Sequence, residues 1–346
     1  MSALITQQLT QDIATGLILA FLGFAIAMML TPIYTALAFK YQFWKKPRKT
    51  SVTGEAAKVF TKLHAAKHKR NIPTMAGVIT VLSVGTVTLA FNLDREQTWL
   101  PLAAMAGAAL VGLLDDAINI RGLGQGVAGL NSKIKFLLIT VVATLGGWYF
   151  FSKLGYDAIH VPFLGTWDLG WWLVPIFAFV VVATANAVNI SDGLDGLAGG
   201  LLTIAFGTYG VIAFLQDNIG IAGFCVTLVG ALLSYVWFNI YPARFFMGDV
   251  GSFALGTALG VVAMLTDTLA LLPIIGIVFV AEAGSALIQI LSKKFLHRKI
   301  FLSAPVHHHL EAIGWPETKV TMRFWIIGAV AGTLGLTIAL IGGHII

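Results

Sequence analysis

The sequence predicts an all-α integral membrane protein, a bundle of about ten transmembrane helices. Of its 346 residues, 58% are hydrophobic and 11% are charged, and the mean hydropathy is +0.86. A soluble protein needs more polar surface than this composition supplies, so soluble classes are excluded. Apolar runs near the roughly 20 residues of a spanning helix recur along the chain, unlike the short alternating strands of a membrane β-barrel.

Ten apolar runs define the predicted helices, and they make residues 1–346 a single polytopic membrane domain. In chain order the predicted helices are Ile13–Phe39, Ile72–Phe91, Thr98–Leu114, Ile134–Phe151, Leu169–Val188, Leu197–Leu215, Ile219–Ile240, Val250–Thr266, Leu269–Leu291 and Phe324–Ile341.

The lysine and arginine residues orient this bundle. If the loop from Lys40 to Arg70 faces the cytoplasm, 20 of the 22 basic residues lie on that side, and the exceptions are Arg95 and Lys153. This asymmetry follows the positive-inside rule, and it predicts that both termini lie on the outer face. The basic residues are spread over several loops without interleaved aromatic residues. The net charge of +6 therefore does not indicate nucleic-acid binding.

The first cytoplasmic loop ends in a basic pair followed by a turn. Lys69 and Arg70 precede Asn-Ile-Pro-Thr-Met-Ala-Gly, in which Pro73 and Gly77 mark a tight entry into the second helix. Basic side chains at this position suit a phosphate ligand. Lysine and arginine also flank ordinary membrane spans, so that interpretation stays open.

The third predicted helix ends with Asp115 and Asp116 at its cytoplasmic terminus. Carboxylates there face the negative end of the helix dipole, an unfavourable placement of roughly 0.3–1 kcal/mol each. A bound cation would remove this cost, and a solvated acidic helix end is the alternative. Because adjacent residues lie about 100° apart on a helix, we expect the two acids to have different tasks.

Between the fifth and sixth helices, amide and carboxylate residues recur every three positions, at Asn186, Asn189, Asp192 and Asp195. On a helical backbone this spacing predicts a continuous polar stripe. Interleaved glycines allow sharp bends and close approach of a ligand. The alternative is a helix end and a turn, with Asp195 as the N-cap of the next helix.

Asp249 comes just before the eighth predicted helix and could be its N-cap. It is also the fifth carboxylate found at a cytoplasmic helix end, after the Asp115–Asp116 pair and Asp192 and Asp195. A bundle can bring such ends together. Oxygen-rich clusters of this kind select hard cations, and Mg²⁺ in particular takes one or two carboxylates together with substrate phosphates.

The last cytoplasmic loop carries three successive histidines, His307, His308 and His309. Neighbouring residues cannot share one helix face, and no suitably spaced cysteine or further histidine accompanies them, so the pattern favours contacts with an anionic or sugar ligand over zinc. Glu282 and Gln289 lie seven residues apart on the ninth helix and should face the same way. An acid within a membrane span is a functional candidate.

Five motifs lie in these loops and helix ends: Pro73–Gly77, Gly112–Asp116, Asn186–Ala198, Phe246–Ser252, and Ala304–Glu317 with its His-His-His-Leu-Glu and Gly-Trp-Pro-Glu runs. Together they resemble the phospho-N-acetylmuramoyl-pentapeptide transferase family, from the first cytoplasmic loop to the last helix. The sequence departs from the family pattern Gly-Thr-Pro-Thr-Met-Gly-Gly, because Asn71 and Ile72 precede Pro73 and Ala76 replaces a glycine.

This resemblance implies an Mg²⁺-dependent enzyme of the bacterial inner membrane, with a ten-helix bundle that forms a homodimer. Its implied reaction transfers phospho-MurNAc-pentapeptide from UDP-MurNAc-pentapeptide to undecaprenyl phosphate and releases UMP, with the active site at the cytoplasmic face. The resemblance implies that Asp249 is the Mg²⁺ ligand, that Asp115 and Asp116 are a catalytic pair, and that Phe246 stacks on uracil. The further substrate-binding residues it implies are Lys69, Thr74, Lys133, Asn186, Asn189, Asp192, Asp195, His307, His308, His309 and, more weakly, Gln289.

Two other functions are alternatives to this one. A sister enzyme that transfers N-acetylglucosamine-1-phosphate to a polyprenyl phosphate would share the aspartates, but the His-His-His-Leu-Glu and Gly-Trp-Pro-Glu runs argue against it. A membrane transporter would be expected to carry charges in mid-helix and an internal repeat. Here the acids lie at helix ends on one side, with Glu282 as the exception.

Overall fold

The computed structural model describes residues 2–44, 71–122 and 129–343, and each of the ten predicted apolar runs is largely helical there. The helices are α1 (Ser2–Lys40), α2 (Gly77–Phe91), α3 (Trp99–Arg121), α4 (Ser132–Ser152), α5 (Leu173–Ser191), α6 (Leu197–Leu215), α7 (Ile219–Asn239), α8 (Gly248–Leu265), α9 (Leu272–Ile275), α10 (Ile277–Leu291), α11 (Val306–Ala312) and α12 (Glu317–Ile341).

Eight helices in the described part of the chain are long and apolar enough to cross a membrane, which confirms an all-α, multi-pass membrane protein. Two predicted spans differ from simple helices. α2 has 15 residues, because the chain before Gly77 forms a loop instead of a helical turn. The ninth span is bent by 80° between Leu269–Ile275 and Ile277–Leu296. Gly276 lies at this break and ends α9.

The third helix is longer than predicted. It was expected to end near Leu114, with the two aspartates as its last residues, but it continues to Arg121 and ends at Gly122 in a left-handed conformation. The residues after Asp116 are compatible with a helix, and glycine is the usual residue at such a C-terminal position. Asp115 and Asp116 therefore lie within the last two turns of α3.

α8 lies at the centre of the bundle, and all of its residues are buried. It packs against α2, α3 and α5, while α1 lies outside against α7. Glycines make the central contacts close: a Cβ atom on Gly256 would lie 2.7 Å from the Cα of Ala185 on α5, and one on Gly260 would lie 2.5 Å from the Thr184 hydroxyl. Small residues of this kind allow the backbones of membrane helices to approach each other.

A short antiparallel hairpin between α4 and α5 was not predicted. Strand β1 (Ala158–Val161) pairs with β2 (Gly165–Asp168), and Ala158 lies opposite Asp168. The hairpin is held to the bundle by the backbone N–H of His160, which donates to Asp267 Oδ1 at 2.9 Å. It follows the C-terminus of α4, so it lies at the opposite end of the bundle from the N-terminus of α4 and the C-terminus of α5.

Candidate active site

Three carboxylates meet where the C-terminal part of α3 approaches the first turn of α8. One side-chain oxygen from each of Asp115, Asp116 and Asp249 lies within 4.8 Å of the others. The three residues are only 1%, 0% and 9% exposed. Asp249 is the second residue of α8 and not its N-cap, which is Met247. Among the described residues this is the cluster that could hold a metal ion.

Backbone contacts between α3 and α8 set this geometry. A Cβ atom on Gly112 would overlap the carbonyl group of Asp249, so a side chain at this position would push the two helices apart. The Val250 N–H donates to Asp116 Oδ2 at 3.1 Å, so the Asp116 carboxylate satisfies one of the N–H groups that a helix N-terminus leaves without a helical partner. Gly248 adopts the left-handed conformation, with φ of +75°, directly before these groups.

Lys135 supplies the positive charge of the cluster. Its Nζ lies 3.0 Å from Asp115 Oδ1 and 2.6 Å from Asp249 Oδ2. Asp115 Oδ1 also accepts a hydrogen bond from the Leu130 N–H at 2.8 Å. Buried carboxylates require a cation or hydrogen-bond donors to remain ionised, and Lys135 fills that need in this structure.

Sequence reasoning missed Lys135 and selected Lys133, which is exposed. Both residues lie in the first turn of α4, but two positions correspond to about 200° around a helix, so they point in different directions. The buried residues Ile139 and Ala143 follow Lys135 at intervals of four. This periodicity could have placed Lys135 on the buried face of α4.

A cavity of about 440 Å³ lies beside the carboxylates. Asp249 and Lys135 form one part of its wall, and three residues of the predicted polar stripe, Asn186, Asn189 and Asp192, form another. Asn189 Nδ2 donates to the Ser252 hydroxyl on α8 at 2.8 Å, which ties α5 to α8. The remaining wall residues are Ser132, Phe136, Ile139 and Phe253.

Asp195 does not continue the stripe into this cavity. α5 ends at Ser191, so the three-residue helical spacing is lost before Asp195. The side chain is buried, and its Oδ2 accepts a hydrogen bond from the Ala243 N–H at 3.0 Å. Its backbone N–H donates to Glu317 Oε1 at 2.6 Å, so Asp195 connects the turn before α6 to α12. It is not an N-cap, because Gly196 has that position in α6.

The loop before α2 pairs with the chain before α8. The Phe246 N–H donates to the Pro73 carbonyl at 2.8 Å, and the Ala76 N–H donates to the Phe246 carbonyl at 3.0 Å. Thr74 is buried, and its carbonyl accepts a hydrogen bond from the Tyr34 hydroxyl. Phe246 is partly exposed. The other candidate from this loop, Lys69, lies outside the described residues.

The three histidines lie in α11, and two of them contact carboxylates. His307 Nδ1 lies 2.6 Å from Glu282 Oε2, and both side chains are at most 1% exposed. His308 Nδ1 lies 2.8 Å from Glu311 Oε2. The two rings are 4.1 Å apart between centroids.

The third histidine, His309, accepts a hydrogen bond from the Leu302 N–H through Nδ1 at 3.2 Å. None of the three lines the cavity, but His307 packs on a residue next to its wall. Its ring packs on the turn after α5, where a Cβ atom on Gly193 would overlap Nε2. Gly193 directly follows Asp192, which lines the cavity.

Comparisons with known proteins identify relatives of this chain. The family model described as "Glycosyl transferase family 4" matches residues 98–267. The phospho-N-acetylmuramoyl-pentapeptide-transferase of Chloroflexus aggregans is 39% identical over 349 residues, covering 97% of this chain and 92% of the relative. Proteins of the same name from Geobacillus thermodenitrificans and Bacillus mycoides are each 37% identical and cover 91% and 93% of this chain and 95% and 97% of their own lengths.

Proposed function

The chain belongs to the phospho-N-acetylmuramoyl-pentapeptide transferase family, and on this premise we propose that it transfers phospho-MurNAc-pentapeptide from UDP-MurNAc-pentapeptide to undecaprenyl phosphate. The products are lipid I, the first lipid-linked peptidoglycan precursor, and UMP. One structural observation supports this most directly: in a buried cluster of three carboxylates, Asp249 lines a cavity together with Lys135.

The cofactor in this proposal is Mg²⁺, with Asp249 as a ligand. The donor set fits: three carboxylates converge within 4.8 Å, and hard cations prefer oxygen ligands. Lys135 lies between two of these carboxylates, which indicates that the cluster requires positive charge. When bound, Mg²⁺ would neutralise the diphosphate and the transferred phosphoryl group.

The protein side chains then have separate tasks. The reaction forms a bond between an oxygen of the lipid phosphate and the sugar-linked phosphorus of the donor, and it breaks the bond from that phosphorus to UMP. Asp115 and Asp116 orient or deprotonate the lipid phosphate. The second pKa of a phosphate is about 6, so this oxygen is largely ionised at neutral pH and positioning contributes more than proton removal.

The cavity wall provides contacts for the donor in this proposal. Asn186 and Asn189 offer amide groups and Asp192 offers a carboxylate to sugar hydroxyls. Phe246, which lies outside this wall in the chain before α8, is proposed to stack on uracil. His307 of α11 packs on Gly193, directly after Asp192, and His307, His308 and His309 are proposed donor contacts. Further proposed substrate contacts are Lys69, Thr74 and Asp195, and Lys133 is proposed to contact the lipid phosphate.

A membrane location follows from the acceptor. Its polyprenyl chain stays in the bilayer, so its phosphate meets a water-soluble nucleotide at the membrane surface. The basic loops place this surface on the cytoplasmic side of the inner membrane in our proposal. The carboxylate cluster in the last two turns of α3 is consistent with a site near a helix end.

One assay tests the proposal. Purified protein is supplied with undecaprenyl phosphate and UDP-MurNAc-pentapeptide, with and without Mg²⁺, and UMP release and lipid I are measured. We expect both products only when Mg²⁺ is present. Replacing the donor with UDP-N-acetylglucosamine tests the sister enzyme. Turnover of that donor in place of UDP-MurNAc-pentapeptide would contradict the proposal.

A further inference from the structure

One face of α10 carries three buried polar residues in a span that is otherwise apolar. Glu282, Ser285 and Gln289 are separated by three and four positions, so they share a helix face, and each is less than 9% exposed. Polar groups within a membrane span are unfavourable unless they have partners, and they commonly have a function there. The residues that these three side chains contact therefore indicate what α10 does.

All three side chains hold the segment that carries the histidines. Gln289 accepts hydrogen bonds from the N–H groups of Ile300 and Phe301 through Oε1, at 3.1 and 3.0 Å. Its Nε2 donates to the Phe301 carbonyl at 3.1 Å. The Val306 N–H, in the first turn of α11, donates to the Ser285 hydroxyl at 2.9 Å. These bonds hold the backbone of the segment at Ile300 and Phe301, and again at Val306, just before the histidines.

Glu282 contacts the side chain of the first histidine, His307. Its Oε2 lies 2.6 Å from His307 Nδ1, and both groups are buried. The other carboxylate oxygen, Oε1, has no hydrogen-bond partner among the described residues. The carboxylate is therefore directed at His307. Since Nδ1 is occupied by Glu282, the opposite nitrogen, Nε2, is the one that lies against Gly193, the residue that follows the cavity-lining Asp192.

We propose that Glu282 is a positioning residue for the transfer reaction: by accepting the Nδ1–H of His307, it fixes the tautomer and rotamer that direct Nε2 toward the bound nucleoside diphosphate donor. This inference rests on the proposed function. A carboxylate on one ring nitrogen determines which nitrogen of a histidine is available to a ligand. His308 lacks this role, because its carboxylate partner, Glu311, is on α11 itself and does not link α11 to α10.

The first test reads the tautomer directly and does not depend on the reaction. Protein labelled with ¹⁵N-histidine is reconstituted in nanodiscs, and the His307 signals are assigned with His307→Gln. We expect a protonated Nδ1 on His307 in the wild type, and a loss or broadening of that signal in Glu282→Leu. Glu311→Leu is the matched control and should leave His307 unchanged. An unprotonated His307 Nδ1 in the wild type would overturn the inference.

The second test uses turnover of UDP-MurNAc-pentapeptide by Glu282→Leu, His307→Gln and the double variant. Loss of positioning should lower kcat/KM for the donor by about 10- to 100-fold and leave KM for the lipid phosphate within about threefold. The double variant should be no worse than His307→Gln, because Glu282 acts through His307. Independent, multiplicative losses would overturn the proposal.

Glu282→Gln covers the case in which the leucine variant does not fold. A glutamine carbonyl oxygen can still accept from Nδ1–H, so we expect the wild-type tautomer and donor KM within about threefold of the wild type. A His307 that changes tautomer in this variant would contradict the inference. If wild-type protein shows the expected tautomer but releases no UMP, the proposed function fails and the assignment of Glu282 as the partner of His307 does not.

Discussion

At the scale of single residues, Asp249 differs from the other two acids in its position on its helix. It lies in the first turn of α8, where the helix dipole and free N–H groups favour anions, whereas Asp115 and Asp116 lie near the unfavourable end of α3. Replacing Asp249 with Asn removes a hard anionic ligand. We expect kcat to fall by about 10²- to 10³-fold, with only partial recovery at high Mg²⁺.

A titration of kcat with Mg²⁺ tests this expectation, and it is repeated for Asp115→Asn and Asp116→Asn. At least one of them, the residue that orients or deprotonates the lipid phosphate, should lower kcat while its Mg²⁺ dependence stays close to that of the wild type. All three variants should fold. Near-normal activity of Asp249→Asn at low Mg²⁺ would contradict the assignment of Asp249 as a metal ligand.

Lys135 and Lys133 form a matched pair for a second prediction. Both lie in the first turn of α4, but Lys135 contacts Asp115 and Asp249, and Lys133 is exposed. Lys135→Gln should lower kcat/KM by about 10²-fold, because a partly buried charge partner of the carboxylates is lost. Lys133→Gln should lower it less, by about threefold to tenfold, because only an exposed contact to the lipid phosphate is lost. The opposite order, measured as UMP release, would show that Lys133 contributes more to the reaction than Lys135.

The sequence predicted which residues belong to the candidate site better than it predicted where their side chains point. Asn186, Asn189 and Asp192 were predicted as one polar stripe, and they line one cavity because the backbone stays helical up to Ser191. Asp195 departs because the chain turns after Ser191. That turn depends on tertiary contacts with α12, which residue spacing does not record.

At the scale of helices, the carboxylate cluster depends on how closely α3 and α8 approach. Gly112→Ala should destabilise the protein by about 1–3 kcal/mol, because its methyl group would overlap the Asp249 backbone. Activity should fall more than stability, since the displacement falls on Asp249. Gly85→Ala on α2 is the control, because a Cβ atom there meets no atom within 4 Å. Equal Tm and activity for the two variants would contradict this account.

Asp267, which holds the hairpin to the bundle, allows a prediction about how the stability of the protein depends on pH. Burial raises the pKa of Asp267, whose carboxylate accepts the His160 N–H, and Asp267 adopts a left-handed conformation with φ of +49°. Its stabilising contribution is therefore present below its unfolded-state pKa and is lost as pH rises through its folded-state pKa. Asn keeps the acceptor, tolerates this backbone conformation and carries no charge.

Asp267→Asn should therefore raise Tm at pH 8, on the order of 1–2 °C, and the gain should vanish near pH 3.5. The measurement is a thermal unfolding scan of both proteins in the same detergent across this range. A variant that is less stable than the wild type at pH 8 would show that the ionised carboxylate is favourable there.

Hydropathy predicted the helices because each run is predominantly apolar over about the length that spans a membrane. It did not predict the bend at Gly276 or the hairpin at Ala158–Asp168, for different reasons. The bend lies inside a run whose mean hydropathy stays high, and that mean does not respond to a single proline at position 273 or glycine at position 276. The hairpin strands have four residues each, too few for a periodic pattern to emerge.

At the scale of the whole molecule, the helices place charged chemistry at one end of an apolar bundle. α8 is fully buried and carries Asp249 at its first turn, so the cluster is built on the most enclosed helix of the described structure. α10, which follows the bend at Gly276, holds the histidine segment against the same end. A rigid frame around a polar cavity suits a reaction in which positioning supplies much of the rate.

The orientation of this frame in the membrane is the last prediction. Because the sequence predicts 20 of the 22 basic residues on the same side as the aspartate-bearing helix ends, we expect that side in the cytoplasm and both termini outside. A fluorescent reporter that matures only in the cytoplasm should be dark when fused after Ile346 and bright when inserted after Gly54, in the first basic loop. Alkaline phosphatase, active only outside, should give the reverse pattern. Fluorescence from the fusion after Ile346 would invert the map and place the active site away from the cytoplasmic nucleotide donor.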